Sequence, residues 1–295
     1  MDTAILIDIV KSGLVLGALY ALMATGLSLV WTTLGIFNFA HGAFIALGAY
    51  LAWQFSSTDA WGLPMVPAIL LSSVVMFAIG ALLHFLLVKP FERRQDIVLI
   101  SVISTLAGAV ILENGLQLIW GARSKQIPSL ADGAVEFGAL SLRNSELLLM
   151  ALVLAILLCV GMFLRYSRPG RSMRAVAQNQ DAAALLGLNV PLYFSIVFGI
   201  AALTAGLAGV FVGTLRFMSP SMGSEPLMKA LIVVIFGGVA RFSSPIYAAL
   251  IIGQIEAFSV YFVGLYWAPA VLFFTMIVVL LFKPEGLFGK YQRTL

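Results

Sequence analysis

The side chains with chemical potential in this chain are few: His41 and His84, the single Cys159, and a set of amides and carboxylates, Asn38, Glu113, Asn114, Gln254 and Glu256, lodged in otherwise apolar runs. They match no catalytic constellation. There is no His-Glu-x-x-His metal motif, no Gly-x-Ser-x-Gly elbow and no glycine-rich phosphate loop, so no catalytic residue and no metal ligand is expected. One cysteine allows neither a disulfide framework nor a thiolate metal site. The missing phosphate loop means that any ATP-driven work must use an ATPase on another chain, so no cofactor is expected in this one. A carboxylate at membrane depth must be paired, protonated or in contact with water. Glu113, Asn114 and Glu256 are therefore candidates for lining a polar pathway, with a helix-to-helix bond as the other reading for Glu256. In FNFAHG (37–42), Asn38, His41 and Gly42 leave backbone amides at a half-helix end, where they face a carboxylate or a watery cavity. Asn38 capping a helix, with His41 bonded to a neighbour, accounts for the same residue types. His84, close to Lys89, reads as interfacial.

The elements that must carry these residues are membrane helices. The chain has 295 residues, of which 61% are hydrophobic and only 10% charged, with a mean hydropathy of +1.05; soluble domains have about 25% charged residues. The net charge of +4 comes from Lys and Arg in short loops, a positive-inside pattern that gives no reason to expect nucleic acid as a partner. Apolar stretches long enough to cross about 30 Å of hydrocarbon run over 12–33, 65–88, 97–119, 146–164, 192–214 and 246–282, the last divided near Gly264. Two more, 36–54 and 227–244, are interrupted by small and polar residues. Asp2 and Asp8 stand where a signal peptide wants positive charge, so the first apolar run is expected to be retained as a helix. The fold class expected is all-α: one polytopic transmembrane helical bundle over 1–295, about 8–9 spans, with two interrupted helices. Interruptions at corresponding places suggest pseudo-repeats over about 10–120 and 190–282. The basic loops 89–96, 165–191 and the tail from Lys283 put the C-terminus in the cytoplasm and the N-terminus outside.

Segment 165–190 is the long polar stretch between the two apolar halves. Arg165, Arg168, Arg171 and Arg174 would each cost about 2.5–3.5 kcal/mol at a bilayer centre, so this loop lies in cytoplasmic water. Within it, DAAALLG (181–187) fits a short surface helix. Asn179 suits its N-cap, Asp181 the positive end of its dipole, and Gly187 a left-handed end, after which Asn189 and Pro191 begin the next span. Ala182, Ala183 and Ala184 offer a small-residue face to a partner.

Asp-Ala-Ala, three residues, then Gly resembles the EAA-x-x-x-G coupling loop of ABC importer permeases, with Asp181 in place of Glu. Taken with FNFAHG, the RYSRPGRSMRA lead-in, GLNV after the loop and the ending KPEGLFG (283–289), the chain resembles the high-affinity branched-chain amino acid (LIV) permease family from end to end. The resemblance implies a subunit in the bacterial inner membrane that works with two cytoplasmic ABC ATPase subunits, a second permease and a periplasmic substrate-binding protein. It gives 181–187 the role of a coupling helix, with Asp181, Ala182, Ala183 and Gly187 at the ATPase. Arg171 and Arg174 would contact ATPase acids or membrane lipid phosphates. Asn38, His41, Gly42, Glu113, Asn114, Ser244 and Glu256 would line the substrate pathway, with the two interrupted helices facing each other across it. The chain departs from the family's glycine-rich second break: GGVARFSS places Ala240, Arg241 and Ser244 at positions usually Gly or Ser. That leaves urea, short amides and other small organic acids beside leucine, isoleucine and valine as substrates. An ion-coupled secondary carrier is the reading from another class, and it has no use for DAAALLG in a basic loop.

The charge rule generates a topology test. Cysteines placed near Ser57 and Asp132 are expected to react with an impermeant thiol reagent added outside intact cells, and those near Gln178 and Gln292 are not. External labelling at Gln178 would invert the arrangement.

Overall fold

A computed structural model describes residues 3–58, 60–92, 94–128, 130–131, 133–137, 140–238 and 242–289. Helix α1 (Thr3–Leu34) is followed by α2 (His41–Ser56), α3 (Met65–Leu83) and α4 (Ile97–Trp120). Between α3 and α4 the chain winds through a π-helical turn, His84–Val88, and a 3-10 turn, Lys89–Phe91. Then come α5 (Asn144–Tyr166), α6 (Arg168–Gln178), α7 (Gln180–Leu185), α8 (Val190–Leu215), α9 (Ser224–Gly237), α10 (Ser244–Val263) and α11 (Ala268–Phe282). The all-α expectation holds but for one hairpin: in the stretch read as a plain external loop, β1 (Ala134–Phe137) pairs antiparallel with β2 (Leu140–Arg143), Ala134 opposite Arg143. Asp132 in that stretch lies outside the described residues.

Among the described residues, six helices are long and apolar enough to cross a membrane: α1, α3 with its extension to Phe91, α4, α5, α8 and α10. Helices α2, α9 and α11 have 16, 14 and 15 residues and are shorter than a full span. Both interruptions read from the sequence exist, one at 35–40 between α1 and α2 and one between the end of α9 at Gly237 and the start of α10 at Ser244.

The chain forms two compact units, one built from 1–28, 129–156 and 228–295, the other from 29–128 and 157–227. In the second unit α8 is the central element: 89% of its most apolar window is buried, against 22% for α3 and 17% for α4. In hydrocarbon, apolar side chains gain little by leaving lipid, so helices associate where small residues let backbones touch. Here Gly48 of α2 lies against the backbone of Gly206, Gly209 against the carbonyl of Ile45, and Gly80 of α3 against the Phe198 carbonyl and Ala202. In the first unit, Gly13 and Gly17 of α1 meet Gly253 of α10 in the same manner, and Gln254 Nε2 donates to the Val10 carbonyl at 3.0 Å.

The KPEGLFG ending closes α9. Leu287 N–H donates to the Phe236 carbonyl at 2.7 Å and Phe288 N–H to that of Gly237 at 3.1 Å, while Lys283 Nζ bonds the Leu287 carbonyl at 2.7 Å. Gly286 and Gly238, at φ +82 and +85, sit backbone against backbone, where a side chain on either would collide.

Replacing Gly48 by Ala is expected to cost about 1–3 kcal/mol by forcing α2 and α8 apart. Gly115→Ala, on α4 with nothing within 4 Å of the added carbon, is expected to be neutral or to stabilise by up to about 1 kcal/mol. Thermal unfolding in detergent measures both. Equal shifts would contradict the close-contact account.

Candidate functional site

Segment 165–190 is two helices, where the sequence suggested a loop with one. RPGRSMRAVAQ forms α6: Ser167 Oγ accepts from Gly170 N–H at 2.9 Å as its N-cap, Pro169 fits the first turn, and Gly170, Met173 and Val176 make one buried stripe. On the other face Arg171 Nη1 donates to the Tyr166 carbonyl at 3.2 Å and Arg174 Nη2 to that of Arg165 at 3.1 Å. These exposed arginines thus close the carbonyl end of α5, the negative end of its dipole.

Helix α7 follows the capping read from the sequence. Asn179 Oδ1 accepts from Ala182 N–H at 2.9 Å. At the other end Gly187 has φ +83; its N–H donates to the Ala184 carbonyl and Leu188 N–H to that of Ala183, at 2.9 and 3.1 Å, the paired bonds of a Schellman turn. Asn189 Oδ1 then accepts from Leu192 N–H, and Pro191 sits in the first turn of α8.

The small-residue face expected from Ala182, Ala183 and Ala184 needs correction. Ala183 is turned inward, 2% exposed, in a cluster with Val176 and Phe194 that Leu34, Leu188, Val190 and Tyr193 cover. Asp181, Ala182 and Gly187 are exposed, and the apolar surface beside them is Leu185 and Leu186, at 90% and 82% exposure. The sequence reading passed over these two leucines. Part of the signal was available: on a helix that turns Ala183 inward, Leu185 two positions on lies across the axis, while Leu186 is the C-cap and is not held to the inward face. The helix is also tied to the end of α1, where Gln180 Nε2 donates to the Thr33 carbonyl at 3.4 Å.

One residue past Leu34 the first break begins. Gly35, at φ +73, bonds back to the Trp31 carbonyl, and the Trp31 and Phe37 rings lie 3.9 Å apart. Asn38 Oδ1 accepts from Ala40 N–H at 3.0 Å, the Asn38 carbonyl accepts from His41 N–H at 3.2 Å, and Phe39 N–H reaches Thr105 Oγ1 of α4 at 3.2 Å. Asn38 and His41 are fully buried. Gly42, the second residue of α2, packs against the Gly223 carbonyl and Leu227. Among the described residues the Asn38 carboxamide nitrogen has no hydrogen-bond partner.

In the second break, Val239, Ala240 and Arg241 lie outside the described residues, and so therefore does the expected facing of 241–245 toward 37–42. Ser244, 2% exposed, opens α10.

Glu256 sits in α10 at 3% exposure. Its Oε1 meets Lys229 Nζ of α9 at 2.7 Å and its Oε2 accepts from the Tyr20 hydroxyl of α1 at 2.5 Å. Lys229 Nζ also lies 5.6 Å from the centre of the Tyr20 ring. Both carboxylate oxygens are thus engaged by protein, and one buried cluster joins three helices of one unit. Sequence reading singled out Glu256 but neither partner; a lysine within the apolar stretch 227–237 was the overlooked sign, since a buried charge requires a counter-charge. Glu113 and Asn114 are not drawn into any such cluster. They lie on α4, half-buried and exposed, and Asn114 Nδ2 bonds only its own helix, at the Val110 carbonyl. His84, read as interfacial, is fully buried within its unit.

Comparison with known proteins follows this geometry. A model of the family described as the permease component of branched-chain amino acid transport systems matches residues 9–280. The chain is 29% identical over 291 residues to the high-affinity branched-chain amino acid transport system permease protein LivH of Escherichia coli, covering 95% of this chain and 94% of that one. It is also 29% identical, with the same coverage, to the permease protein BraD of Pseudomonas aeruginosa. Similarity extends to the fructose import permease protein FruF of Bifidobacterium longum, 28% identical over 76% of this chain and 60% of FruF.

The Glu256 cluster predicts a double-mutant pattern. Glu256→Gln or Lys229→Gln alone, each leaving one buried charge uncompensated, is expected to cost about 3–5 kcal/mol, and the double variant to recover most of it. Unfolding temperatures of the four proteins in detergent measure this. Additive losses would show that the two side chains act independently.

Proposed function

We propose, from the premise that this chain belongs to the permease family of branched-chain amino acid transport systems, that it is the membrane-spanning subunit of an ATP-driven importer for branched-chain or related amino acids. It works in the bacterial inner membrane, N-terminus outside and C-terminus cytoplasmic, beside a second permease that is a paralogue or a copy of itself. A periplasmic binding protein delivers substrate from outside, and two cytoplasmic ABC ATPase subunits bind the ATP. In this reading α2, α9 and α11 complete nine crossings with the six longer helices.

The observation that carries the reading is the α6–α7 module. A two-turn helix held at one end by Asn179 and at the other by a Schellman turn, buried on one side and presenting Asp181, Ala182, Leu185 and Leu186 on the other, is a rigid knob suited to a groove on a partner. Leucines exposed this fully in an aqueous loop are costly unless a partner covers them. Arg171 and Arg174, seated at the end of α5, keep their charge at the same surface. A secondary carrier has no need of such a knob.

Substrate passes, in this proposal, by the break at 35–40, where Asn38, His41 and Gly42 supply the polar lining. Glu256 holds helices together, and Glu113 and Asn114 have no assigned part in that lining. Leucine, isoleucine and valine are the first substrates to test. The departures at Ala240, Arg241 and Ser244 favour urea, short amides or small organic acids as the second reading, and competition against labelled leucine uptake separates the two.

Because Ala183 is internal, the docking test belongs to Leu185 and Leu186. Leu185→Asp with Leu186→Asp is expected to weaken ATPase association by roughly thirtyfold or more, the effect of losing about 2 kcal/mol at an interface hot spot. The permease itself should keep its unfolding temperature, since both side chains are exposed. Co-purification with the ATPase and substrate-stimulated ATP hydrolysis in proteoliposomes provide the measurement. Undiminished association would remove the docking assignment.

A further inference from the structure

We propose that His84 is a positioning residue for energy coupling: through Glu92 and Ser195 it locks the end of α3 to the start of α8 and so fixes the seat on which α7 rests. This rests on the reading of α7 as the ATPase contact.

The regular part of α3 stops at Leu83 and widens into the π-helical turn His84–Val88 before tightening into Lys89–Phe91. Such turns are rare and concentrate at functional sites. Here the turn carries a histidine of zero exposure. Its Nδ1 lies 2.8 Å from Ser195 Oγ of α8 and its Nε2 2.9 Å from Glu92 Oε1, just past the 3-10 turn. The ring packs against Phe198 and Phe194, with centres 5.2 and 6.1 Å away. The Ser195 hydroxyl donates its one hydrogen to the Pro191 carbonyl at 3.1 Å. The Ser195 hydroxyl thus links the imidazole to the first turn of α8, and the Glu92 carboxylate stands against the other ring nitrogen within ion-pair distance. Serine, imidazole and carboxylate in line resemble an acid–base relay, but the ring is sealed beneath two phenylalanines and no substrate reaches it.

What the lock holds is the base of α8. Pro191 stands in the first turn of that helix, right after the Asn189 cap and the Schellman turn that ends α7. Phe194, 4% exposed and in edge contact with His84, is also the residue against which Ala183 and Val176 pack. A continuous path thus runs from half-buried Glu92 through buried His84 and Phe194 to Ala183 inside one unit. Above it α3 and α8 touch backbone to backbone at Gly80. A push on α7 is therefore passed to α3 and α8 as a pair. Without the lock, the seat yields locally and the push is lost, because close-packed contacts transmit displacement only while they stay packed.

The test uses the complete complex of permease, ATPase and binding protein in proteoliposomes, and reads substrate transported per ATP hydrolysed. That ratio does not depend on how much protein folds, so a purely structural role would leave it unmoved. Glu92→Gln, which keeps the shape and the buried imidazole but removes the charge beside it, is expected to lower the ratio about fivefold, the upper end of what a partly exposed ion-pair contact contributes. Ser195→Ala should lower it a few-fold, and His84→Gln, which retains a donor toward Glu92, should fall less than His84→Ala. If His84→Ala does not accumulate, the Glu92 and Ser195 variants decide. An unchanged ratio in both of those overturns the proposal, whatever happens to their unfolding temperatures. A wild-type complex that fails to couple hydrolysis to transport would instead overturn the importer reading itself.

Discussion

Hydrocarbon cannot hydrogen-bond to peptide groups, so every helix end and every break at membrane depth must find its partners within the protein. Much of what is unusual in this chain answers that demand. The break after α1 is closed by Gly35, by the Asn38 side chain and by Thr105 of a neighbouring helix. The carbonyl end of α9 is closed by the backbone of the tail, Leu287 and Phe288. Thr105 and the tail come from elsewhere in the sequence, so each also ties two elements together.

The same economy governs charge. Glu256 could not stand alone in α10; with Lys229 and Tyr20 it fastens α10 to α9 and α1. Its value is positional, since a buried pair of this kind recovers little net stability against its desolvation cost. Around these fixed points, small residues set the spacing. Where Gly48 meets Gly206 and Gly253 meets Gly17, backbones approach more closely than any side chain permits.

The proposed function rests on how α6 and α7 are mounted on this frame. Helix α7 is too short to be stable in water by itself. It exists because its ends are capped and Ala183 is pressed into a cluster with Val176 and Phe194. The surface left over is that of Asp181, Ala182, Leu185 and Leu186. Through Gln180 and Leu34 the same helix adjoins the last turn of α1, just before the break that holds Asn38 and His41, so the proposed ATPase contact and the first break share one unit.

The sequence by itself determined whatever depends on local chemistry and hydropathy. The helical class, the places of the apolar helices to within a few residues except at the early start of α1, both breaks, the caps at Asn179, Gly187 and Asn189, and the family were legible, because capping and burial in lipid depend on residues close together in the chain. Only the tertiary structure decided which way each side chain faces and what it meets. It turned Ala183 inward and left Leu185 and Leu186 outside, and it recast the arginine-rich loop as an amphipathic helix. It also gave Glu256 two partners lying 27 and 236 positions away in the chain and placed His84 inside the protein rather than at its interface. A hydropathy pattern says that a segment is covered, by lipid or by protein without distinction. Which of the two covers it is settled only when the helices pack.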